Sequence, residues 1–354
     1  MLPPDIEALR EGVALVEQAH VARVRLAGPG VFAVLDAALA RAMPLQVGRA
    51  APGLVLHADG RVLADVLVVG EADGALVLAE GVTGAALGDL LWSVAPRRDV
   101  TIEDLSLTHA LVSVQGPYAW EVVGALAGPD VFAAPFHTSF LLEEIAGLGV
   151  RAGKVGEYGY DLLVPRADEP ALRQIFAHLA ASHGLPTIDR RTLARCALEH
   201  GSFSVDLPGA AALTPLQLQL QWRIDYDRDV PGMAALRAQR ASGSAGRLTW
   251  FFAPGDAPVP DTGQPFAVGG QLAGTVVDAF RSHALGGVVG TALLARAVAH
   301  VGLPASWTPP DAAPVPARTV GPPLLNNRSG TIHPLQHTHA ERARVEHPPL
   351  SRLA

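Results

Sequence analysis

The chain has one cysteine, Cys196, in 354 residues. An internal disulfide is therefore impossible, and a cluster of thiolates holding zinc or an iron–sulfur centre is excluded within a single chain. Excess positive charge is missing as well: 27 Lys and Arg stand against 34 Asp and Glu, a net charge of −7 with the two signs interspersed. A phosphate backbone would call for a basic stripe, so nucleic acid is not expected as a partner. Long apolar runs are also scarce. The first 28 residues carry charges throughout and lack the apolar core of a secretory signal. The longest candidate for a membrane span, residues 283–302, is interrupted by Arg296 and holds two histidines and several glycines. It reads as a buried helix or helix–strand segment, so no membrane partner is expected and the cytoplasm is the expected location. The 36 glycines and 29 prolines show no short period, which excludes a fibrous chain.

What remains is a globular composition, 49% hydrophobic, long enough for two or three domains. "DIEALREGVALVEQAH" has apolar residues at helical spacing, "ARVRLAG" alternates as a half-buried strand does, and "PGVFAVLDAALARAM" returns to a helical period. Three short apolar runs follow, Leu54 to His57, Val62 to Val69 and Ala75 to Ala79, separated by Asp-Gly turns that signal antiparallel hairpins. "VRLAGPGVFAVLDAAL" and "VSVQGPYAWEVVGAL" both read strand, Gly-Pro, helix, and suggest two related α+β units. Beyond residue 242 short strands with Gly and Pro turns predict a small β-rich domain, with an ending poor in periodicity that reads as extended or partly disordered.

The stretch "RAGKVGEYGYDLLVP" sets Glu157 among glycines directly before an apolar run. A carboxylate there can accept two hydrogen bonds from a flat, donor-rich ring, or it can be a solvated turn residue. Tyr158 and Tyr160 flank it, and either a ligand-facing or a core role fits them. Asp65 in "VLADVLVV" is an awkward carboxylate inside an apolar run unless it has a partner. His20 and His57 are conceivable proton carriers, whereas His333, His337 and His339 lack a companion carboxylate or thiol at fixed spacing, so no metal site is expected.

Jointly, "VRLAGPGVFAVLD", "ADGRVLADVLVV", "VSVQGPYAWEVV", "RAGKVGEYGYDLLVP", "LEHG", "LTPLQLQLQW" and "GGQLAGTVVDAF" resemble the folate-binding family of the glycine cleavage T protein, the aminomethyltransferases, and the tetrahydrofolate-dependent demethylases related to them. The resemblance implies an α+β protein, a three-domain cloverleaf around a central cavity, with two related α+β units and a barrel-like third domain. The boundaries expected are 1–47 with 142–242, 48–141, and 248–354. It implies tetrahydrofolate, or its 5-methyl or 5,10-methylene form, as cofactor. Glu157 then falls where a glutamate grips the pterin, with Tyr158 and Tyr160 beside it. Asp65 falls beside the one-carbon unit, with His57 one strand away. Arg151, Arg190, Arg191 and Arg195 compete for the folate tail or a substrate carboxylate, and Glu199 suits a structural ion pair.

Departures from the family pattern bear on the substrate. Glu80 and Gly81 stand where an asparagine is expected, and "VVDAFRSHALGGVVG" replaces a Thr-Ser-Gly turn. The chain also starts close to its first helix, without the family's opening segment. These changes make a lipoyl carrier protein an unlikely partner and a small-molecule substrate the expected one. The expectation is a one-carbon transferase; the alternatives are a non-catalytic folate-binding accessory protein and an enzyme reusing the cavity without folate.

Overall fold

The computed structural model describes residues 2–95, 99–202, 205, 212–244 and 246–353. Among them the strands form two open sheets and a closed barrel. The first sheet runs in the order Thr187–Ile188, Ala14–Glu17, His109–Gln115, Gly159–Pro165, Leu148–Arg151, Ser139–Leu141. The second runs Ala50–Leu56, Val62–Glu71, Gly74–Glu80, Ala22–Ala27, Thr101–Asp104. The barrel closes through Gly246–Pro254, Gly287–Ala295, Gln271–Ser282, Pro265–Val268, Pro304–Trp307 and Val315–Val320. This is the expected α+β architecture, two sheet-and-helix units and a barrel.

Sheet membership divides the chain elsewhere than at 47/48 and 141/142. Ala22–Ala27 pairs with Gly74–Glu80 in the second sheet, and His109–Gln115 pairs with Ala14–Glu17 and Gly159–Pro165 in the first. The helical reading of "DIEALREGVALVEQAH" also overruns. The helix is Pro4–Glu11, and Ala14–Glu17 is a strand because Leu15 and Val16 find partners at Thr187, Ile188, Val114 and Ser113. Partners a hundred residues away override local helical spacing. Residues 287–295 of the apolar 283–302 segment form a barrel strand, and among the described residues no helix is long and apolar enough to cross a membrane.

Strand alternation positions the site. On the first sheet Val112, Val114, Leu162 and Val164 pack toward helices Ala119–Ala127 and Glu169–His183. On the second, Val66, Val68 and Val77 pack toward helices Val31–Ala38 and Gly84–Val94. The remaining faces meet: Leu111 and Leu163 join Val69, Leu76 and Leu78 in one dry cluster. Two residues further along the same faces, the sequence turns polar. Asp65 pairs in register with Glu80, Ser113 with Asp161, and Gln115 with Gly159. The apolar contact between the sheets thus opens into a cavity lined with charge.

Candidate functional site

The cavity has a volume of about 870 Å³, within the range of small-molecule and cofactor sites. The two sheets supply Asp65, Glu80, Ser113, Gln115 and Asp161. Helix Arg190–His200 adds Arg190, Leu193 and His200, and the barrel adds Arg247, Thr249 and Trp250. Trp222, Arg223 and Phe136 line it as well, with both aromatic rings largely exposed. All three units therefore share one space.

Asp65 accepts a 2.7 Å hydrogen bond from Arg223 Nη1, the partner its apolar sequence context demanded. Burial pushes the Asp65 carboxyl above its ordinary value, and Arg223 and Lys154 oppose that shift. Lys154, whose Nζ donates to Glu80 Oε1, is the only lysine in the chain. Burial pushes the ammonium pKa down; the carboxylates of Glu80 and Asp65 outweigh that and raise it above its ordinary value. The Glu80 that departs from the family's asparagine thus arrives with its own counter-ion.

Asp161 accepts a short hydrogen bond from Ser113 through Oδ1, and Ser113 in turn accepts from Gln18 Nε2 at 2.8 Å. Among the described residues no donor reaches Asp161 Oδ2. Burial pushes this carboxyl up to about 6, against the pull of the Ser113 hydrogen bond. His20, also in the lining, is pushed down to about 4 by burial and then by Arg190. It is neutral at pH 7.

The other residues expected at the site lie elsewhere. Glu157 is buried at 6% exposure, outside the cavity lining, and already satisfied. Its Oε1 accepts from the Arg328 backbone N–H at 2.9 Å, and its Oε2 accepts from Ser329 N–H at 2.8 Å and Ser329 Oγ at 2.6 Å. It sits in an adjoining recess of about 370 Å³, which shares His200 with the cavity, together with Arg151, Tyr158 and Asn327. Arg151 donates to the carbonyls of Phe132 and Ala134 and lies 4.9 Å over the Tyr158 ring. Tyr160 is fully buried against Phe140, its hydroxyl 3.5 Å from the Val131 carbonyl, on the opposite face of its strand from Asp161. His57 is exposed at the hairpin tip, where its N–H bonds Arg61 O. Arg191 is exposed and outside the lining; its neighbour Arg190 is the one in the wall. Of the residues expected at the site, Asp65, His20 and Arg190 line the cavity.

The C-terminal segment is irregular but packed. His339 is buried and stacks on His183 at 4.9 Å. Among the described residues no group of three or more His, Cys, Asp or Glu is placed to hold a metal ion.

The glycines of the quoted stretch have specific uses. Gly156 is at φ +85°, and a Cβ there would meet Asn327 and His200 at 2.4 Å. Asp161 was legible as the next carboxylate on that stretch, two residues past Gly159, and Lys154 as a lysine without a second in the sequence.

A family model described as the GCVT N-terminal domain matches residues 3–228. The chain belongs to the GCVT family. An aminomethyltransferase of Saccharopolyspora erythraea is 32% identical to this GCVT-family chain over 239 residues, 65% of this chain and 65% of the relative. The chain thus spans just under two thirds of that relative's length. An aminomethyltransferase of Streptomyces avermitilis is 27% identical over 303 residues, 83% of this chain and 82% of that one. Among solved structures, the glycine cleavage system aminomethyltransferase T from Bartonella henselae matches with a TM-score of 0.77 at 18% identity, covering 90% of this chain and 88% of that chain. At that identity the likeness is one of fold.

Proposed function

We propose that this GCVT-family chain is an enzyme that moves a one-carbon unit, methyl or methylene, between tetrahydrofolate and a small molecule, with the pterin in the 870 Å³ cavity. One observation carries the reading. Asp161 and Asp65 face the same cavity from two sheets, Asp161 with an oxygen open to a ligand and Asp65 held by Arg223. In this assignment Asp161, in place of Glu157, accepts from the amino and ring N–H donors of the pterin. Asp65 orients the reacting amine or steadies positive charge on the one-carbon unit, an electrostatic task favoured in a low-dielectric site. Tetrahydrofolate supplies the carrier nitrogen atoms when bound. Arg190 and Arg247 both line the cavity wall and contribute positive charge toward an anionic tail or a substrate carboxylate. Among the described residues, the cavity's four basic side chains, Lys154, Arg190, Arg223 and Arg247, against three carboxylates favour a small anionic substrate over a cationic one.

Calorimetric titration with tetrahydrofolate and its 5-methyl and 5,10-methylene forms is the test. At least one form is expected to bind in the micromolar range. Asp161→Asn should weaken it about tenfold or more, and Asp65→Asn should keep affinity within a few-fold while lowering one-carbon transfer from a panel of small methylated acids to tetrahydrofolate. No binding of any form at high micromolar concentration would refute the reading.

A further inference from the structure

Gln115 lines the cavity with its hydrogen-bonding capacity unused. Its side chain is 3% exposed and lines the cavity, and its Oε1 has no hydrogen-bond partner. No described donor or acceptor reaches its Nε2 either. Buried amides in folded proteins are almost always paired, so an unpaired one facing a cavity marks a place that a ligand completes. The surroundings are shaped for it. Gly159 lies directly opposite Gln115 across the paired strands, and a Cβ at Gly159 would stand 2.5 Å from Gln115 Oε1. A Cβ at Gly153 would stand 3.2 Å from the same atom. Two glycines therefore leave room for Oε1 to lie buried against the backbone, so Nε2 is the amide atom that a ligand in the cavity can reach. Asp161 is two residues beyond Gly159 on the same face, so its open oxygen and the Gln115 amide project from diagonal positions of one strand pair, about 7–8 Å apart at the backbone.

We infer that Gln115 contacts the ligand and sets its specificity, its Nε2 donating to the C=O of a flat heterocycle whose amino and ring N–H edge is taken by Asp161. The inference rests on the folate reading above. A carboxylate accepts only, so Asp161 alone recognises a donor edge and is blind to the neighbouring position. The Gln115 amide N–H is a donor and so complements the carbonyl next to that edge. A 4-oxo pteridine presents that carbonyl; a 4-amino pteridine presents a donor in its place and leaves the amide N–H of Gln115 opposed. A site built to bond a polar group rejects the analogue lacking it far more strongly than an apolar pocket discriminates a methylene.

The experiment is a titration of the full chain with tetrahydrofolate and with its 4-amino-4-deoxy analogue, using wild type, Gln115→Met, Gln115→Glu and Asp161→Asn. Wild type should prefer the oxo form at least tenfold. Gln115→Met should lose about tenfold or more for the oxo form and little for the amino form, collapsing the ratio. Gln115→Glu should invert it, since a carboxylate accepts from the 4-amino group. Should Gln115→Met fold poorly, Gln115→Glu still decides the matter, because a purely structural role leaves the oxo-to-amino ratio at its wild-type value. An unchanged ratio in the folded variants, with Asp161→Asn still weakening both ligands, would overturn the inference and leave the folate reading intact. Failure of wild type to bind either ligand would overturn both.

Discussion

Asp161 and Glu157 stand four residues apart, and the fold gives them opposite fates. Asp161 titrates at about 6 in the folded chain against an ordinary 3.8. The native state therefore keeps a proton that the unfolded chain has released between those values, so stability falls as pH rises from about 4 to about 6 and stays lower above. The deficit at pH 7 is up to about 3 kcal/mol. Asp161→Asn should remove it, making the variant more stable than wild type at pH 7.5 and no more stable at pH 4, as read from denaturant midpoints. Folate binding should respond with the opposite sign. Only the ionised carboxylate accepts from two donors, so wild-type affinity should improve as pH rises through about 6, by up to tenfold per unit below it. The Asn variant should lack that limb, and a wild-type profile flat from pH 5 to 7 would count against Asp161 as the ring-reading group. The sequence reading put Glu157 at the ring, because the pattern around Glu157 says nothing of a backbone 171 residues later that bonds it.

Among the elements, the segment carrying Arg328 and Ser329 is the one the sequence left without form. It has no apolar period because what fixes it is polar and distant: two backbone N–H groups and a hydroxyl on Glu157, and Arg328 bonded to Glu11 at 2.8 Å. The hairpins of the second sheet were legible for the contrary reason, since Asp59-Gly60 and Asp73-Gly74 sit between strands that pair within a few residues. Glu157→Gln turns one acceptor into a donor facing an N–H. It should cost about 1–3 kcal/mol of stability by chemical denaturation while leaving folate affinity within twofold. A tenfold loss of affinity in a variant of unchanged stability would return Glu157 to the binding site.

At the scale of the whole molecule, the first unit and the barrel are tied by buried polar contacts as well as by the cavity. Arg10, on the first helix, bonds Glu199 Oε2, the Cys196 carbonyl and the Val155 carbonyl, each at 2.8 Å. Ser282 of the barrel donates to Glu199 Oε1 at 2.5 Å, and Trp250 Nε1 donates to the Leu198 carbonyl at 3.0 Å. Glu199 was legible as half of an ion pair; its partner at position 10 was not, since nothing local to either residue joins them. The internal repeat likewise announced two related units, while the threading of the chain from the first sheet into the second and back was set by pairings of Ala14–Glu17 that sequence period does not encode.

The solitary lysine has a practical consequence. An endoprotease that cuts only after lysine has a single target bond in this chain, Lys154–Val155, and Val155 is fully buried with its carbonyl held by Arg10. Digestion can therefore yield only fragments 1–154 and 155–354, and only when this loop comes away from Arg10. Where closing outpaces cutting, the rate reports the population of that opened form. The native chain should resist the protease, denaturant should release the two fragments with the global transition, and a bound cavity ligand should slow their appearance. Rapid cleavage under native conditions, unaffected by ligand, would mean that this wall of the cavity opens independently of the rest.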